Sequence, residues 1–63
     1  MTPTDLRDAR KRLGLTQGQL AQALKLEPPG DRTVRRWEKG DRAIPGPVVV
    51  AVEMMLERME KPR

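Results

Sequence analysis

Sixty-three residues allow one small domain, of a size that buries only about 60% of its unfolded surface. Without Cys or His it has neither disulfides nor an ordinary zinc site as reinforcement, so helix packing or association must serve instead. The formal charge of +4 sits in residues 1–47, where ten Lys/Arg face six Asp/Glu, while residues 48–63 hold three of each; a polyanionic partner explains that asymmetry, and solubility is the competing explanation.

The first helix is expected over about 3–13. Thr2 can cap it, Pro3 suits its first position, and Asp5 completes a Thr-x-x-acid box. Leu6, Ala9 and Leu13 form an apolar stripe, and Gly14 is the stop. A second helix follows over about 16–25, opened by the Thr16–Gln19 capping box, with Leu20, Ala21 and Leu24 as its buried edge. "LEPPGD" then breaks the pattern, since neither Pro28 nor Pro29 can continue a helix.

A third helix is predicted over about 31–39, with Asp31 favouring its start and Gly40 its end. On a helical wheel Arg32, Arg35, Arg36 and Lys39 share an arc of roughly 100°, while Val34 and Trp37 lie opposite. The acids Asp31 and Glu38 fall to one side of that arc rather than within it. A solvated helix face usually mixes its cations with acids, so a polyanion-binding face is favoured over a merely solvated one.

The major groove of B-DNA admits one helix, and Arg can hydrogen-bond two acceptors on guanine. Sequence-specific RNA recognition instead leans on unpaired bases stacked on aromatics. The chain's one aromatic, Trp37, points inward, so double-stranded DNA is the expected partner.

The fourth helix is expected over about 47–60, with "KPR" as a frayed tail. Val48, Val49, Ala51, Val52, Met55, Leu56 and Met59 share an apolar arc of about 160°, and Val50 and Met54 fall outside it. Three uses of this surplus remain open: packing within the domain, a symmetric dimer interface over Val49, Val50, Met54 and Leu56, or a seat for another protein's helix. No stretch alternates with period two. The fold class is therefore all-α: one compact four-helix domain over 1–63.

"LGLTQGQLAQAL" followed by "RTVRRWEKG" resembles the helix-turn-helix domain of phage-repressor-type regulators, the Cro/C1 or Xre family. The resemblance covers about residues 5–47 and implies a central helix-turn-helix whose second helix bridges the DNA backbone and whose third enters the major groove. It departs from the family at Lys25, where Gly is usual, and in a turn about three residues longer, "KLEPPGD". More weakly, "IPGPVVVAVEMML" resembles small phage and prophage autorepressors, including anti-CRISPR-associated repressors.

Carried over by that resemblance, Gln17 matches a residue that hydrogen-bonds a phosphate, unless it serves only as a helix-start residue. Arg32, Thr33 and Arg36 match positions that face base edges, with a half-buried structural role as the alternative for Thr33. Arg35 and Lys39 border them, Arg35 being assigned here to bases and Lys39 to phosphates, and Arg42 in the following loop suits a phosphate contact. Arg10 and Glu38 match a structural ion pair joining the first helix to the end of the third, and Arg10 does lie beside its helix's apolar stripe.

Enzymatic activity is not expected, because the chain has no His, Cys or Ser and no glycine-rich phosphate loop. No cofactor or metal and no small-molecule effector domain are expected either. The longest apolar run, Val48 to Val52, is too short to span a membrane, and residues 1–12 lack a signal's apolar region, so a cytoplasmic location is expected. Two functions compete: a homodimeric repressor reading a palindromic operator, and an antitoxin or adaptor holding a protein partner through its last helix. The short tail after that helix favours the repressor.

Overall fold

Two reciprocal capping boxes start the first half of the molecule. In the computed structural model, which describes residues 1–60, Thr2 Oγ1 accepts from the Asp5 N–H at 3.1 Å and the Asp5 carboxylate accepts from the Thr2 N–H at 3.0 Å. This box opens α1 (Pro3–Arg12). Thr16 and Gln19 repeat the arrangement at 3.1 and 2.9 Å and open α2 (Gln17–Ala23). Each box satisfies two backbone donors that a helix start would otherwise leave without partners. α3 spans Gly30–Lys39 and α4 spans Gly46–Glu60. Among the described residues all regular structure is helical, so the chain is all-α as expected. The tail expected at 61–63 lies outside the described residues.

The first three helices end alike. After α1, Gly14 has φ 70° and donates to Lys11 O while Leu15 donates to Arg10 O; after α3, Gly40 has φ 83° and donates to Trp37 O while Asp41 donates to Arg36 O. These paired bonds cap the last carbonyls through one left-handed residue. α2 uses the same device with Lys25 at φ 58°, its N–H bonded to Gln22 O and that of Leu26 to Ala21 O. The position where related proteins were expected to carry Gly is thus a left-handed one, and here a lysine occupies it.

Observed boundaries differ from expectation by one or two residues. Thr16 is an extended cap rather than part of α2, and Lys25 has already left the helix. α3 starts one residue early, at Gly30, with Pro29 as a cap that offers no side-chain bond. Gly46 rather than Pro47 begins α4.

One core joins all four helices. It consists of Leu6 and Ala9 from α1, Leu20 and Ala21 from α2, Val34 and Trp37 from α3, and Val48 and Val52 from α4. Leu15, Leu24, Leu26, Ile44, Met55 and Leu56 close its edges. Leu26 pins the turn between α2 and α3 to the core. α2 and α3 form the tightest helix pair, and α4 rests chiefly on α1. Among the described residues no helix is long and apolar enough to cross a membrane.

Candidate nucleic-acid interface

α3 divides its side chains cleanly. Val34, Trp37 and Glu38 are buried, Thr33 is half-buried, and Arg32, Arg35, Arg36 and Lys39 are exposed. Four cations therefore stand on one solvent-facing helix wall, with the apolar wall anchored in the core. Arg42 is exposed in the loop that follows.

What fixes this wall is the burial of Glu38, whose side chain is 1% exposed. A buried carboxylate needs charge compensation and hydrogen bonds together. Arg10 supplies both, its Nε donating to Oε2 at 2.7 Å and its Nη2 to Oε1 at 3.2 Å. Its remaining nitrogen, Nη1, donates to Leu15 O at 2.9 Å, so one guanidinium ties α1, the α1–α2 linker and the end of α3 together. The expected Arg10–Glu38 pair is formed, as a fork-on-fork contact of the stronger, charge-assisted kind.

Gln17 joins the same carboxylate, its Nε2 donating to Glu38 Oε1 at 3.2 Å. This contact was not foreseen. It places the first residue of α2 on the last turn of α3, setting the expected phosphate residue at a fixed position relative to the basic wall. Arg7 also approaches Oε1, with its Nε at 3.8 Å and its side chain 51% exposed. In the sequence, the one signal for Arg7 is its spacing of three from Arg10 on one helix face. No buried side-chain nitrogen or oxygen among the described residues lacks a hydrogen bond.

The proposed association residues are less uniform. Val50 is 55% and Met54 54% exposed, one helical turn apart, and Val49 is half-buried. Leu56 packs against the core cluster while remaining partly accessible. Val50 and Met54 are therefore the surplus apolar surface, with Met59 further along the helix at 48% exposure.

A family model described as Helix-turn-helix matches residues 6–58, which takes in parts of all four helices. The chain belongs to the helix-turn-helix family. It is of the Cro/C1 or Xre type that the "LGLTQGQLAQAL" and "RTVRRWEKG" segments resembled. Among curated proteins it is similar to two transcriptional repressor proteins KorC of Escherichia coli. One is 48% identical over 44 residues, covering 70% of this chain and 52% of the relative. The other is 46% identical over 41 residues, covering 65% and 48%. It is also 45% identical over 47 residues to the type II methyltransferase M.SsoII of Shigella sonnei, covering 75% of this chain but 12% of that enzyme. The chain thus spans about half the length of the KorC relatives and a small fraction of the methyltransferase. No solved structure matches it significantly.

Proposed function

We propose that this helix-turn-helix domain is a sequence-specific, double-stranded-DNA-binding transcriptional repressor, acting as a homodimer on a palindromic operator with α3 in the major groove. The segregation of charge on α3 carries this reading. Arg32, Arg35, Arg36 and Lys39 are exposed together while Val34, Trp37 and Glu38 anchor the opposite side. A helix held by its apolar face, with four cations on one exposed arc and its exposed acid, Asp31, to one side of that arc, has the shape and chemistry that base edges and phosphates require. The repressor names of the KorC relatives agree with it.

In this reading Arg32, Thr33, Arg35 and Arg36 face bases, and Gln17, Lys39 and Arg42 hold phosphates. A primary amide has two N–H donors, so Gln17 can keep Glu38 with one and offer the other. Two such units on adjacent major grooves sit about 34–36 Å apart. A two-fold axis near Val49, Val50 and Met54 of α4 would set that spacing.

Binding to matched and mismatched sites tests the assignment. Arg32→Ala or Arg36→Ala should lose about 1–3 kcal/mol on the specific site together with discrimination at the base it contacts. Arg42→Ala should weaken specific and random DNA alike. Full discrimination in the Arg32 and Arg36 variants would remove the base-reading assignment.

The exposure of Val50, Met54 and Met59 also favours a second reading, in which α4 seats a partner protein and DNA binding is secondary. Sedimentation equilibrium separates the two. A dimer that Val50→Glu and Met54→Glu convert to folded monomer supports the first, and a wild type monomeric at tens of micromolar supports the second.

A further inference from the structure

Glu38 is oversupplied with positive charge. Arg10 already meets both of its oxygens, and Gln17 adds a third hydrogen bond. Nothing in the carboxylate's hydrogen bonding calls for Arg7. Its Nε stands at 3.8 Å from Oε1, outside hydrogen-bond distance, on a side chain that is 51% exposed. One carboxylate between two guanidiniums leaves the cluster with one net positive charge. That excess sits on the accessible member, Arg7, and converges on the same oxygen that holds the Gln17 amide.

We infer that Arg7 of α1 is a DNA-backbone contact, taking the phosphate at or next to the one held by Gln17. This rests on the reading of the domain as a DNA-binding protein, and extends its contact surface from the helix-turn-helix onto α1. Glu38 then has two separate tasks: it locks Arg10 into the fold, and it holds the Arg7 guanidinium beside Gln17 without consuming its charge. A weakly engaged, half-exposed guanidinium can turn outward to a phosphate at little loss, because an accessible ion pair at this separation contributes little. A phosphate offers the fork geometry that Glu38, already filled by Arg10, does not.

The salt dependence of binding tests the inference. Affinity for operator DNA and for random duplex is measured from 50 to 200 mM salt for the wild type, Arg7→Gln and Arg7→Lys, with thermal melting of each. Losing one phosphate contact lowers the slope of log affinity against log salt by about 0.9 per bound protomer. At 0.15 M salt that is a loss on the order of fivefold per protomer, the same on both DNAs. The expected result is that loss in Arg7→Gln, an unchanged melting temperature, and recovery of the slope in Arg7→Lys. A steep wild-type slope that Arg7→Gln leaves intact overturns the inference alone. So does a fall in melting temperature without a change in slope, which makes Arg7 a structural ion-pair partner. A flat wild-type response overturns the DNA-binding reading itself.

Discussion

Gly30, the first residue of α3, lies so close to Ala21 of α2 that a Cβ built on it would fall 2.8 Å from the Ala21 Cβ and 3.1 Å from that of Leu26. Real Cβ atoms do not approach to 2.8 Å, so only glycine fits here without movement. This contact seats the start of α3 directly on α2. Gly30→Ala is expected to be destabilising by about 1–3 kcal/mol, the usual range for overpacking. It should also lower specific DNA affinity more than random affinity, because α3 must tilt. Urea denaturation and paired binding curves check both, and an Ala variant of unchanged stability would show that the two helices separate freely.

Lys25 presents the opposite case. Its φ of 58° sets Cβ against the following carbonyl, a conformation costing roughly 1–2 kcal/mol for most residues. Glycine relieves that strain but adds freedom to the unfolded chain. Lys25→Gly should therefore stabilise the domain by about 0.5–1 kcal/mol, while Lys25→Ala should not. Equal denaturation midpoints for the Gly and Ala variants would contradict this.

What could be read in advance follows from distance along the chain. The Thr2–Asp5 and Thr16–Gln19 boxes span three residues each, and local spacing announces them. The buried Val34 and Trp37 and the exposed arginines of α3 likewise follow from helical periodicity. Arg10–Glu38 joins residues 28 apart, and its anticipation needed the family resemblance. Gln17–Glu38, 21 apart, is not legible in the sequence, because a glutamine at a helix start has an adequate local role. Pro-Pro-Gly signals a turn, so the sequence places Gly30 in the break, and its close approach to Ala21 exists only once α2 and α3 pack.

Removing Glu38 should cost stability before it alters base preference. Glu38→Ala leaves Arg10, 14% exposed at its side chain, without a counter-charge and frees Gln17. Breaking a buried pair from one side typically costs about 3–5 kcal/mol, and less where water reaches the survivor. For a domain this small such a loss approaches the whole folding free energy. Arg10→Met with Glu38→Leu should recover part of it, because the orphaned charge is gone. Thermal melting of the single and double variants decides, and unchanged melting in both singles would mean that the pair contributes nothing.

Acid should loosen the start of α1. The Thr2 backbone N–H, and after it the Thr2 hydroxyl, hold the Asp5 carboxyl below its ordinary value of 3.8. A carboxyl depressed in the folded state adds stability above its unfolded pKa, and that stability is lost as pH falls through the folded value. Protection of the Thr2 amide should therefore decline below about pH 4, and Asp5→Asn should abolish this pH dependence. Amide exchange and a carbon-13 titration of Asp5 measure it; Thr2 protection that is flat from pH 5 to 2 would show that the box does not depend on the charged carboxyl.

Selection of bound fragments from random duplex DNA tests most directly whether the exposed face of α3 reads sequence and whether the protein does so as a symmetric pair. The expected outcome is an inverted repeat with half-site centres about one helical turn, or 10–10.5 base pairs, apart. Arg32→Ala and Arg36→Ala should each relax preference at one symmetric pair of positions. Enrichment of no motif would contradict sequence-specific reading by α3, and a single unpaired half-site bound by a monomer would contradict the dimer.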